Sequence, residues 1–160
     1  MNASNKKKIL FLHGLESRPG GKKPTFLKEK GYLVLNPGLP KSSFEESVRI
    51  AQKAVDDESP DVIVGSSRGG AVAMCLKPRG AKIVLIAPGW TRFGVDIHEG
   101  KLTAESAIIH SESDDIVDFE DSVKLANQTG YPLIKVGADH RMNDSDALEG
   151  ILEAVEWLTN

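Results

Sequence analysis

The chain has 160 residues, 40% of them hydrophobic and 27% charged, which suits one folded domain with a core of its own and leaves too little for two. A net charge of -3 gives no basic footprint for a polyanionic backbone, so no nucleic-acid partner is expected. The single cysteine, Cys75, excludes an internal disulfide and a multi-cysteine metal centre, and nothing calls for an oxidising compartment, so the expected location is the cytoplasm.

Lys6 to Lys8 ahead of Ile9-Leu10-Phe11-Leu12 imitate the start of a secretory signal, but the apolar run stops at His13-Gly14. A signal core needs roughly 7 to 15 apolar residues and a membrane span about 20, so neither is expected. The lysines read as a solvated lead into a buried strand, Ile9 to Leu12, with Leu12-His13-Gly14-Leu15 turning after it. A short helix is predicted from Lys22 to Lys30, stopped by Gly31, and a second strand from Tyr32 to Leu35. Ser43 and Glu46 form an S-x-x-E capping box, followed by Phe44, Val48, Ala51 and Val55 at helical spacing until Pro60.

The third strand, Val62 to Val64, runs straight into Gly65-Ser66-Ser67-Arg68-Gly69-Gly70 and then into the helical segment Ala71, Val72, Cys75, Leu76. G-x-S-x-G alone is a weak pattern, equally a glycine-rich turn with an incidental serine. Between a buried strand and a helix it gains force, because a nucleophile on that tight turn stands clear of the sheet and the helix start favours developing negative charge. Cys75, on the helix behind it, is expected to fill core space.

Ile83 to Ala87 form the fourth strand; Pro88 to Glu105, containing Gly89, Trp90, Phe93, His98 and Gly100, have no clear period and read as a loop or small lid. Trp90 and Phe93 either line an acyl pocket or anchor this loop, and His98 reads as an exposed loop histidine. The fifth strand, Ala107 to Ile109, leads to His110-Ser111-Glu112-Ser113-Asp114-Asp115-Ile116-Val117, with His110 packed at the strand end. Asp118 suits the N-cap of a helix carrying Phe119, Val123 and Ala126, which Gly130 ends. Leu133 to Val136 form the sixth strand, Gly137-Ala138-Asp139-His140 follow it, and Leu148, Ile151, Leu152 and Val155 mark a final helix.

Strand-length apolar runs alternating with helical stretches predict an α/β fold: a mostly parallel six-stranded sheet with helices on both faces. The loops after strands three, five and six then meet at one sheet edge. A serine at its normal pKa needs a base and an orienting group, and His140 with an acid from the His110 to Val117 loop supplies both in chain order; Asp114 and Asp115 compete for the acid role. Backbone N–H groups of Leu15 and Arg68 are candidate oxyanion donors. His13, His98, His110 and His140 are too dispersed to suggest a metal site.

Over nearly its whole length the chain resembles the small α/β-hydrolase esterases, particularly bacterial ones of the YqiA type. Phe11-Leu12-His13-Gly14-Leu15 match the opening strand-H-G segment, Gly65 to Gly70 the nucleophile elbow, and Asp139-His140 the closing D-H. His110 to Val117 match H-G-x-x-D-x-x-V with Ser111 in place of glycine, which favours Asp114 as the acid. The resemblance implies a minimal α/β-hydrolase fold without a large cap domain, Ser67 as nucleophile, His140 as base and Asp114 as orienting acid, with no cofactor. His13, Trp90 and Phe93 are the candidate pocket residues. Arg68 departs from the usual leucine, methionine or glutamine, and its guanidinium is expected either to select an acidic substrate or to pair with a carboxylate near the site.

The leading expectation is a serine hydrolase that cleaves small acyl esters through an acyl-enzyme. The alternatives are an acyl thioesterase and a non-catalytic binding protein of the same fold. Oligomeric state and physiological substrate are not legible.

Overall fold

In the computed structural model, which describes residues 6–98 and 102–160, six strands and five helices alternate along the chain. They are β1 (Lys8–Leu12), α1 (Lys22–Glu29), β2 (Leu33–Leu35), α2 (Phe44–Glu58), β3 (Val62–Ser66), α3 (Arg68–Met74), β4 (Lys82–Ile86), β5 (Ser106–His110), α4 (Phe119–Thr129), β6 (Leu133–Lys135) and α5 (Ser145–Thr159). All pairings are parallel, in the order β2-β1-β3-β4-β5-β6. Each predicted strand is present within a residue or two. Gly100 of the predicted loop lies outside the described residues, and no cap domain interrupts the described ones.

The continuous apolar runs are explained by double coverage. Leu10, Leu12, Ile63, Ile83, Leu85 and Ile108 face Ala51 and Val55 of α2, Val72 of α3 and Leu125 of α4. Their neighbours Ile9, Phe11, Val62, Val64, Val84, Ile86 and Ile109 face Leu27 of α1 and Ala147, Ile151 and Val155 of α5. The edge strands β2 and β6 are short and only partly covered.

Local signals set the helix limits. Ser43 Oγ accepts the N–H of Glu46 at 3.1 Å, but the Glu46 carboxylate takes Arg49 instead of returning to Ser43, so half of the expected capping box forms. Asp118 caps α4 through Glu120 N–H, and Gly130 ends it at φ 80°. Pro60 lies just beyond α2, which closes on Ser59 in the left-handed region.

Chain order places the site. The chain passes from β1 outward to β2 and then returns to the other side of β1 as β3, so the loops after β1 and β3 leave adjacent strands in diverging directions. A crevice at the carboxyl ends is the consequence. Two glycines let the elbow sit down on the sheet there: a Cβ at Gly65 would lie 2.4 Å from Gly69 O, and one at Gly69 would lie 2.0 Å from Leu12 O. These contacts are with backbone, which cannot swing aside. Gly69→Ala is therefore expected to lose about 3 kcal/mol or more of stability in urea unfolding, and a loss below about 1 kcal/mol would mean the elbow is not packed this tightly.

Candidate active site

Ser67 occupies the turn between β3 and α3 with φ 55° and ψ −115°, a backbone that a side chain rarely adopts. Its own N–H reaches Ile86 O at 2.9 Å, and its carbonyl accepts from Gly70, Ala71 and Gly89, so the turn is fixed from both sides. The hydroxyl projects above the sheet and lies 3.0 Å from His140 Nε2.

His140 follows β6 and approaches from the opposite direction. Its Nδ1 lies 2.6 Å from Asp114 Oδ2. A carboxylate only accepts, so Nδ1 carries a hydrogen, and in the neutral ring Nε2 is left to accept the Ser67 proton. Asp139 accepts the N–H groups of Arg141 and Met142 and so shapes the turn that presents the ring.

The structure separates the two neighbouring aspartates. Asp115 is exposed, whereas the Asp114 side chain is fully buried. Asp114 Oδ1 accepts from Ile116 and Val117 N–H at 2.8 and 2.9 Å, and Oδ2 accepts from His140 and from His110 Nε2 at 2.8 Å. Burial pushes the carboxyl upward, but the bonds from His140, the two backbone N–H groups and His110 outweigh it and hold the group below its ordinary range.

His110 is the part that sequence reading missed. Expected merely to pack at a strand end, it is fully buried and links Asp114 to Ser122 Oγ at 2.7 Å through its other nitrogen. Its spacing of four before Asp114 was visible, yet its partner Ser122 lies on α4 and only the fold joins them. Ser111, where the resemblance anticipates glycine, has a use of its own: its hydroxyl donates to Gly137 O at 2.8 Å and accepts from Ser113 N–H, tying the Asp114 loop to the His140 loop.

Among the described residues, the N–H groups of Leu15 and Arg68 have no hydrogen-bond partner. Gly14 sits so close to the elbow that a Cβ on it would lie 3.4 Å from Ser67 Cβ, which brings the loop after β1 against the serine.

The pocket residues divide. Trp90 is buried, with Nε1 donating to Asp121 O at 3.2 Å, so it anchors the loop after β4. Phe93 packs at Gly89 beside Ser67 and stacks on Phe44, ring centres 5.4 Å apart. His13 is also buried: Nε2 accepts Leu39 N–H at 3.0 Å, leaving Nδ1 to donate to Gly14 O at 2.8 Å. Both nitrogens are committed, so His13 holds the loop and offers a substrate no polar atom.

Both expectations for the Arg68 side chain are corrected. Only 2% exposed, it points away from the crevice, donates to Ser47 Oγ at 3.1 Å and Pro40 O at 2.9 Å, and lies 5.7 Å from the ring centres of both Phe44 and Phe93. Burial lowers its pKa. It meets neither a carboxylate nor the open site; it fastens α3 to α2 beneath the elbow.

His98 is exposed and near Asp96. Cys75 caps the C-terminal end of α3 and packs against the core, as expected. Among the described residues no three His, Cys, Asp or Glu side chains are placed to hold a metal ion, and no helix is long and apolar enough to cross a membrane.

No family model matches the chain, and no curated protein is similar to it in sequence. Solved structures are similar in fold. Alpha/beta hydrolase domain-containing protein 10 from mouse superimposes with a TM-score of 0.79 at 16% identity, covering 95% of this chain and 89% of that one. The esterase domain of a Rhodothermus marinus protein gives 0.73 at 20% identity, covering 94% and 85%. MGS-MChE2, an alpha/beta hydrolase enzyme from a lagoon-sediment metagenome, gives 0.77 at 18% identity, covering 97% and 91%. The chain therefore has the α/β-hydrolase fold.

Proposed function

We propose that this protein is a serine hydrolase acting on acyl esters, with Ser67 as nucleophile, His140 as general base and acid, and Asp114 orienting the imidazole. One observation carries the reading: an unbroken chain of hydrogen bonds, Ser67 to His140 to Asp114, stands on a strained strand-to-helix turn.

Ser67 Oγ attacks the ester carbonyl as its proton passes to His140 Nε2. The tetrahedral oxyanion is met by the N–H groups of Leu15 and Arg68, whose positions are set before substrate arrives. The protonated ring then gives its proton to the leaving alcohol, and an acyl group remains on Ser67. Water repeats the sequence, with His140 taking its proton and returning it to Ser67 as the acid leaves. Nothing in this cycle requires a cofactor. The narrower likeness to YqiA-type esterases, the single-domain organisation and the cytoplasmic location belong to the same proposal.

A panel of p-nitrophenyl esters from acetate to palmitate, with one acyl thioester added, tests the reading when product release is followed together with the mass of the intact protein. Steady release with an acyl mass on the Ser67 peptide is expected. Absence of turnover, together with no labelling of Ser67 by a fluorophosphonate, would turn the assignment toward a binding protein that keeps the fold without the chemistry.

A further inference from the structure

The triad leaves a neighbouring cavity unused. About 310 Å³ in volume, it lies between the end of β1, the loop from Gly14 to Gly21, the start of α1 and Asn143. Gly14 and Ser66 are part of its wall, so it borders the nucleophile's own turn. A larger depression, about 700 Å³, is lined by Met74 to Lys82 and Thr103 to Glu105 at the opposite end of the strands and has no such connection.

Positive charge dominates the wall of the smaller cavity. Arg18, Lys22 and Lys23 line it, and the only carboxylate in the lining, Glu16, is exposed and directed to Lys41 at 3.6 Å. Arg18, Lys22 and Lys23 make no ion pair among the described residues. Lys23 is the most enclosed of the three. Its Nζ donates to Arg141 O at 2.7 Å and Asn143 Oδ1 at 3.1 Å, both neutral oxygens on the loop that carries His140. An ammonium has three hydrogens, so one remains for a ligand. Three cations without a salt bridge on a concave, polar wall, Lys23 enclosed and Arg18 and Lys22 exposed, with Asp139 and Asp144 acting on the lysines only from beyond salt-bridge distance, form an arrangement that charge-assisted recognition of an anion uses.

We propose that this cavity is a subsite for a carboxylate or phosphate group carried by the ester substrate, held by Arg18, Lys22 and Lys23, so that the enzyme prefers anionic esters to neutral ones. The inference rests on the Ser67 reading and adds the substrate class to it. It also moves selection for an acidic substrate from Arg68, which faces away, to the other side of the crevice.

The state of Lys23 gives the subsite a pH dependence. Burial lowers its pKa to about 8, against an upward pull from Asp139 and a further downward push from Arg141. Asp144 acts on the adjacent Lys22. The empty pocket loses one positive charge as pH rises through about 8, so preference for anionic esters should weaken there, while a bound anion should hold the proton on Lys23.

The test compares kcat/KM for p-nitrophenyl butyrate, mono-p-nitrophenyl glutarate and 4-acetoxyphenyl phosphate in the wild type, in an Arg18→Gln/Lys22→Gln double variant and in Lys23→Met. At least one charged ester is expected to be favoured over butyrate by about tenfold or more, with that ratio falling about tenfold in the double variant, chiefly through KM. Which charged ester is favoured separates a carboxylate from a phosphate ligand. An unchanged ratio in both variants, with the neutral ester still hydrolysed, overturns the subsite and leaves the Ser67 reading intact. If no ester is turned over, calorimetric titration with succinate and with inorganic phosphate decides: binding lost in the double variant supports the subsite without the chemistry, and equal or absent binding in both proteins removes it.

Discussion

Ser67→Ala and His140→Ala are each expected to reduce ester turnover by about 10⁶-fold, with the double variant no worse than either single one. The reason is the shared work of the pair. Ser67 Oγ and His140 Nε2 stand 3.0 Å apart; without the hydroxyl there is no nucleophile, and without the ring the hydroxyl keeps its proton. What should survive is stabilisation by the proposed oxyanion donors, Leu15 and Arg68 N–H, which does not depend on either side chain. Burst-phase release and intact mass provide the measurement, since Ser67→Ala should show no acyl adduct. A variant retaining more than about 1% of wild-type turnover would place the nucleophile elsewhere, because side-chain removal at a true triad leaves far less.

Asp114→Asn is expected to lower turnover by about 10⁴-fold. The carboxylate now accepts four N–H groups, two on each oxygen. An amide can keep the Ile116 and Val117 bonds on its oxygen, but its NH₂ then faces His110 and His140. To accept from it, His140 must release the hydrogen on Nδ1 and carry one on Nε2, where it opposes the Ser67 proton. The ring stays in place in the wrong tautomer. Asp115→Asn, at an exposed side chain outside this network, should change turnover little, and a larger effect there than at Asp114 would overturn the assignment of the acid.

The same carboxylate links folding to acidity. Its folded pKa lies below the ordinary 3.8, so the stability it contributes is fully present above that value and is lost as pH falls through the folded pKa. Acid unfolding of wild type and Asp114→Asn should differ most near neutrality and converge at the acid end of the titration.

What could be read before folding follows from the range of each signal. Strands and helices came through because burial on both faces writes itself into consecutive residues, as in Ile83 to Ala87, and because caps such as Asp118 and Gly130 act on their immediate neighbours. The positions of Ser67 and His140 were legible for a similar reason, each lying on the turn or loop that follows a strand, whereas Asp114, four residues past the end of β5, was favoured over Asp115 only through the family resemblance. Arg68, His110 and Lys23 were not. Their partners, Pro40 and Ser47, Ser122, and Arg141 and Asn143, lie between 12 and 120 residues away, and no local pattern distinguishes a buried arginine on two aromatic rings from one that reaches substrate. Each edge strand was read one residue long for a related reason: Tyr32 and Val136 have strand-forming side chains, but the Tyr32 N–H turns back to Leu27 O, and Val136, whose N–H still reaches His110 O at 3.2 Å, lies just past the last paired residue, Lys135.

The backbone at residue 67 sets stability against the proposed chemistry. A non-glycine residue held at φ 55° costs on the order of 1 to 3 kcal/mol, and that burden falls on the fold whether or not the hydroxyl is ever used. A glycine there would carry no such burden but would have no hydroxyl to offer, so at this one position the fold and the proposed chemistry ask for different residues.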